Sequence, residues 1–207
     1  MATILVVYGT TEGHTAGIAE RIGAVMRDLG HEVHVHDSRD LLKTTLEHAY
    51  DGVIVGGSVH AGEHQRGVRE FVGQHRDLLD RVPSAFFSVS LTAAEPDEEA
   101  KRDVQAVVDK FAQETGWQPR HIEPIAGALV YSQYNIFVRH IMKLIAKRLG
   151  RPTDASQDYD YTDWDGVERF ARGFAGQLGG SPEGGTEWAP PPGGGQSDER
   201  DASEADE

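Results

Sequence analysis

Three stretches of this chain, Thr3–Tyr8, Gly52–Gly57 and Ala85–Val89, are apolar almost without interruption, and helical patterns separate them. A strand that is apolar at nearly every position is buried on both faces, so its sheet must be covered on both sides. The helical patterns supply the cover. Ile18, Ile22, Val25, Met26 and Leu29 line one face of Thr15–Leu29, with Gly30 placed to end it. Val68–Leu79 and Glu98–Thr115 show the same spacing, and Val167, Phe170, Phe174 and Leu178 form one stripe of Asp163–Leu178. Glu32–Asp37 reads as a further strand, and His121–Tyr131 contains another around Ile125–Val130.

Five strands joined by right-handed crossovers predict an α/β fold, a doubly wound parallel sheet of the flavodoxin-like order 2-1-3-4-5. The 207 residues suffice for one such domain with a real core, read here as residues 1–179. Residues 180–207 change character. They are rich in Gly, Pro and Ser and carry eight acids against Arg200, so a disordered acidic tail is expected. A formal charge of -14 disfavours nucleic-acid binding. The absence of cysteine excludes disulfides, thiolate nucleophiles and cysteine-held clusters. With no long apolar run and a strand starting at Thr3, neither a membrane span nor a signal peptide is expected, and the protein is read as cytoplasmic.

Ligands of open parallel sheets bind beyond the carboxyl ends of the strands, near the switch in strand order. Three segments are expected to converge there: Thr10-Thr11-Glu12-Gly13-His14-Thr15, Ser58-Val59-His60-Ala61-Gly62 and Ser88-Val89-Ser90-Leu91-Thr92. The first brings backbone N–H groups and hydroxyls to the positive end of a helix, which suits a phosphate. It lacks both the Walker lysine and the Gly-x-Gly-x-x-Gly pattern. A phosphate held without a cationic side chain fits a permanently bound cofactor such as FMN, and Glu12 should then turn away from it. A hydroxyl turn that only caps a helix would look the same alone. The order of the three segments favours a cofactor site. Ser88 and Ser90 read as hydrogen-bond donors to the ring rather than nucleophiles, because no base is paired with them. His60 is the candidate proton-transfer group.

These residues carry a specific resemblance. Over about residues 3–178 the chain resembles the flavodoxin-like protoporphyrinogen dehydrogenases. The likeness rests on Thr10-Thr11-Glu12-Gly13-His14-Thr15, Pro83 to Leu91, Ile125-Ala126-Gly127-Ala128-Leu129 with Tyr131, Met142-Lys143-Leu144-Ile145, and Tyr161-Thr162-Asp163-Trp164. The resemblance implies FMN as cofactor, a tetrapyrrole as electron donor and a quinone as acceptor. One departure is visible: His60 and Ala61 stand where the family offers Arg and an aromatic residue. Tyr131 or Tyr134 is the expected substitute ring. A flavodoxin-type electron carrier, a general quinone reductase, and a non-enzymatic binding module remain alternatives.

Residues 124–153 contain no acid but include Arg139, Lys143, Lys147, Arg148 and Arg151. Arg139, Lys143 and Lys147 recur every four residues, hence along one helical face, with Ile136, Phe137, Ile141, Leu144 and Ile145 supplying apolar partners. This predicts a segment, 135–151, that meets the inner face of the membrane or the propionates of a substrate. An ordinary amphipathic helix on the sheet is the competing reading. His31, His34 and His36 are expected to be surface residues rather than a zinc site. Asp163-Trp164 should cap and anchor the last helix.

Overall fold

The structure is a computed structural model that describes residues 1–42, 46, 48–129 and 159–178. Its sheet is built from β1 (Thr3–Gly9), β2 (Glu32–Asp37), β3 (Gly52–His60), β5 (Ser84–Ser90) and β6 (His121–Ala126), in the order β2-β1-β3-β5-β6. All four pairings along that path are parallel, with Ile4 beside Val33 and Gly52, and Val55 beside Phe86. Counting only these five strands, the order is the expected 2-1-3-4-5. The short β4 (Glu63–His64) pairs antiparallel with the end of β3.

Side chains alternate across the sheet, and the two faces bury separate cores. Ile4, Val6, Ile54, Phe87 and Ile125 pack under α1 (His14–Asp28) and α6 (Trp164–Gln177), against Ile18, Ile22, Phe170 and Phe174. Leu5, Val7, Val53, Val55 and Phe86 pack under α3 (Arg66–Gln74), α4 (Arg76–Arg81) and α5 (Glu98–Thr115), against Phe71, Leu79, Phe111 and Trp117. A short α2 (Ser38–Leu41) follows β2.

The predicted elements hold with three corrections. Helix 68–79 is broken: His75 leaves helical geometry at φ -114°, where its Nδ1 bonds the Phe71 carbonyl (3.0 Å) and its ring stacks on Phe71. The third strand runs past Gly57 to His60, because Val59 and His60 gain partners in His64 and Glu63. The fifth strand starts at His121 and stops at Ala126. Beyond Gly127, β7 (Ala128–Leu129) leaves the sheet and pairs with β8 (Tyr159–Asp160). The helix over 163–178 is capped as expected by Asp163, whose Oδ1 accepts from the Gly166 N–H at 2.9 Å.

The basic segment with Arg139, Lys143, Lys147 and Arg148, the candidate rings Tyr131 and Tyr134, and the acidic tail lie outside the described residues. Among the described residues no helix is long and apolar enough to cross a membrane. His34 and His36 do share a face, with rings 6.4 Å apart, and His34 is bonded to Tyr50 and Glu32.

Candidate functional site

The first segment forms a cradle. Gly13 stands at φ 85°, ψ -15°, a left-handed conformation that costs glycine little, and it turns the chain sharply into α1. Its N–H donates to Thr10 Oγ1 at 2.9 Å. No side chain caps α1 and no acid lies in its first turn. The Ala16 and Gly17 amides turn back to the Gly13 carbonyl (3.1 and 3.4 Å), which leaves those of His14 and Thr15 for an external acceptor at the positive end of the helix dipole. Thr11 Oγ1 accepts from the Gln65 amide (3.4 Å) and keeps its own proton to donate. Thr15 is buried in the first turn.

His14 contributes no charge to this cradle. The Thr162 hydroxyl donates to the Ala126 carbonyl (2.9 Å), so its oxygen must accept from His14 Nε2–H at 2.7 Å. Burial lowers the His14 pKa and outweighs the pull of Asp160, 3.6 Å away. The Trp164 indole stands edge-on to His14 and donates to Asp160 (3.0 Å). The β8–α6 junction is thus fastened to the cradle.

The second segment is a hairpin, not a free loop. Ser58, Val59 and His60 belong to β3, and Ala61 (φ 50°) with Gly62 (φ 77°) form the two-residue turn. Two central residues at positive φ match the turn twist that tight hairpins prefer, and Gly62 adopts its value freely where Ala61 is strained. Glu63 anchors the hairpin to α3 and α5 through Arg69 (3.1 Å) and Lys110 (2.6 Å). Two contacts join hairpin and cradle: His60 Nε2 to Glu12 Oε2 at 3.0 Å, and the Gln65 amide bridging Thr11 and Ser58. The Glu12 hydrogen bond raises the His60 pKa against partial burial.

The third segment ends β5. Val89 packs into the core under α1, whereas Ser88 and Ser90 face the other way. Leu91 leads into a 3₁₀ turn, Thr92–Ala94, where Ser90 Oγ accepts from the Ala93 N–H (3.1 Å). Between hairpin, β5 and α5 lies a cleft of about 360 Å³, lined by Val59, Gly62, Ser88, Ser90 and Thr92 and walled by Asp103, Val104, Ala106 and Val107. The α5 wall was not legible as part of a site.

Ser88 corrects the expectation that no base stands beside it. His64 Nε2 lies 2.9 Å from Ser88 Oγ, brought there by the short strand β4. The two are 3 % and 1 % exposed. They are still no nucleophile–base pair. Burial, then the nearby Arg69, lowers the His64 pKa to about 4, and no third group orients its Nδ1, which has no hydrogen-bond partner.

FMN can be tested against this arrangement. The cradle offers amides and hydroxyls for a phosphate, and His60 engages the Glu12 carboxylate. The cleft offers apolar walls from Val59, Val104 and Val107 and hydroxyls from Ser88, Ser90 and Thr92, as an amphipathic ring requires. The donor set fits. No aromatic side chain lines the cleft among the described residues.

A parallel five-stranded path with a glycine-turned helix N-terminus and a hydroxyl-edged cleft at its carboxyl edge is the arrangement of a flavodoxin-like α/β domain. The flavodoxin domain family model matches residues 5–156, and the chain belongs to that family. Within it, the chain is 34% identical to the protoporphyrinogen IX dehydrogenase [quinone] of Escherichia coli (strain K12) over 171 residues, 83% of this chain and 93% of that protein. It is 37% identical to the Leishmania major protein of the same name over 175 residues, 83% of this chain and 74% of the relative. The crystal structure of flavodoxin 1 from Bacillus cereus is similar at a TM-score of 0.46 and 17% identity, covering 84% of this chain and 98% of that one.

Proposed function

We propose that this protein is an FMN-dependent oxidoreductase that oxidises protoporphyrinogen IX and delivers the electrons to a quinone. One observation carries the reading: an uncapped helix N-terminus and a hydroxyl-edged cleft, joined through Gln65 and the Glu12–His60 pair, lie at the same edge of the sheet. The similarity to two protoporphyrinogen IX dehydrogenases supports the substrate and acceptor.

When bound, FMN supplies the electron chemistry, and the protein supplies binding, orientation and electrostatics. In this reading Thr10, Thr11, Gly13, His14 and Thr15 hold the phosphate through backbone, hydroxyl and helix-dipole interactions. Thr10 acts by fixing Gly13, and His14 by tying the cradle to Thr162. Ser58 to Gly62 edge the ring, and Ser88 to Thr92 meet its polar side. His60, half-exposed and hydrogen-bonded to Glu12, is placed to hold or pass a proton beside the cleft.

The basic segment 135–151 completes the proposal. Arg139, Lys143, Lys147 and Arg148 would meet anionic headgroups at the inner face of the cell membrane, where a lipid-soluble quinone resides, or the substrate propionates.

The test begins with the visible spectrum of the purified chain and an FMN titration. It continues with steady-state turnover of protoporphyrinogen against NAD(P)H, each with a quinone. A flavin spectrum with protoporphyrinogen-dependent quinone reduction is expected. A colourless protein that takes up no FMN refutes the reading, and turnover with NAD(P)H alone replaces it with a general quinone reductase. Charge reversal at Arg139, Lys143 and Lys147 should lower liposome binding. Unchanged binding removes the membrane contact.

A further inference from the structure

His64 has no role in the cradle and was not among the expected site residues, yet it is a buried polar side chain beside the cleft, in contact with the Ser88 hydroxyl that lines it. It stands edge-on against the stacked rings of Phe86 (5.1 Å) and Phe111 (5.0 Å), 3 % exposed, with Nε2 on Ser88 Oγ and Nδ1 without any partner. A buried imidazole placed this way fixes the direction of the hydroxyl it touches.

The Ser88 hydroxyl has one proton, and its contact with His64 has two possible senses. If the imidazole proton is on Nδ1, Ser88 spends its own proton on Nε2, and a buried N–H is left with no acceptor. If the proton is on Nε2, His64 donates, the Ser88 oxygen accepts, and the Ser88 O–H is free to point into the cleft that Ser88 lines. The second arrangement orphans only a lone pair. Buried donors without acceptors are the rarer defect in folded proteins.

We propose that His64 is a positioning residue: as a neutral Nε2–H donor it holds Ser88 so that the serine hydroxyl is a hydrogen-bond donor directed into the cleft. Ser88 therefore selects a ligand that presents an acceptor there, a carbonyl oxygen or bare ring nitrogen such as those at the pyrimidine end of a flavin. It disfavours a ligand presenting an N–H at that point. The identity of the ligand rests on the FMN reading above, whereas the direction of the Ser88 proton does not.

Two measurements on the full chain separate these. The first uses the ¹⁵N-labelled protein without FMN at pH 7. Long-range proton–nitrogen correlations show which imidazole nitrogen of His64 carries the proton. Protonated Nε2 with bare Nδ1 is expected, and protonated Nδ1 overturns the proposal. The second is FMN titration with reduction-potential measurement on Ser88→Ala, His64→Phe, the double variant and His64→Gln. Ser88→Ala and His64→Phe should each weaken FMN by about three- to tenfold and move the potential in the same direction. The double variant should be no worse than either alone, and His64→Gln, which keeps a side-chain N–H, should restore most of the loss. Wild-type affinity and potential in Ser88→Ala overturn the proposal. If His64→Phe does not fold, Ser88→Ala and the tautomer measurement still decide. If the unmodified protein takes up no FMN, the cofactor reading fails while the tautomer result stands.

Discussion

Two glycines four residues apart in the same helix region should respond in opposite ways to the same substitution. Gly13 has φ 85°, and a Cβ there would meet nothing within 4 Å, so Gly13→Ala adds backbone strain without a clash. A left-handed alanine costs ~1–2 kcal/mol, offset by ~0.4–1 kcal/mol from the stiffer unfolded chain, leaving a net loss of about 1 kcal/mol. Gly17 lies in the second turn of α1, also with nothing within 4 Å of its Cβ, and is not at positive φ. Gly17→Ala should stabilise by ~0.5–1 kcal/mol through helix propensity. The two variants therefore separate by about 2 kcal/mol, roughly 4–8 °C in Tm for a domain of this size. Urea unfolding without FMN reads the stability difference, and FMN titration reads the consequence for the cradle. Gly13→Ala should also weaken FMN, because it moves the amides at the start of α1, while Gly17→Ala should bind as the unmodified protein does. If Gly13→Ala is as stable as the parent and binds FMN equally, the left-handed cradle does not hold the phosphate.

Two pH dependences follow from the histidines. The His60 pKa is raised by Glu12, so the stabilisation from that pair is full below the ordinary histidine value of ~6.5 and is lost as pH rises through the higher folded value. Unfolding measured from pH 6 to 8 should show this decline in the parent and not in Glu12→Gln; equal profiles refute it. His64 behaves oppositely. Its pKa is lowered to about 4, so the unfolded chain binds the proton first and stability falls as pH drops from ~6.5 towards 4, by ~3 kcal/mol in all. A His64→Leu variant, less stable at pH 7, should lack this component of acid sensitivity, and an unchanged acid limb would show that His64 is not the buried titrating group.

The strands and most helices were legible because each is written in the spacing of neighbouring residues. Ile4 to Val7 and Val53 to Val55 are apolar on both faces, and only a doubly covered sheet accommodates them. The strand order followed, and with it the edge at which residues 10–15, 58–62 and 88–92 meet. What stayed hidden depends on partners distant along the chain. His75 breaks a helical pattern through its own ring on Phe71. The extension of β3 exists only because His64 and Glu63 fold back onto it. Ser88 looked unpartnered because its imidazole lies 24 residues away, and His14 is tied to Thr162 across 148 residues. Local periodicity encodes which face of an element is apolar, and that is enough to select the sheet. Which polar groups then touch, and which of them lose their charge, is decided by the burial that the assembled layers impose, since only a closed core removes the water that would otherwise serve every donor and acceptor equally.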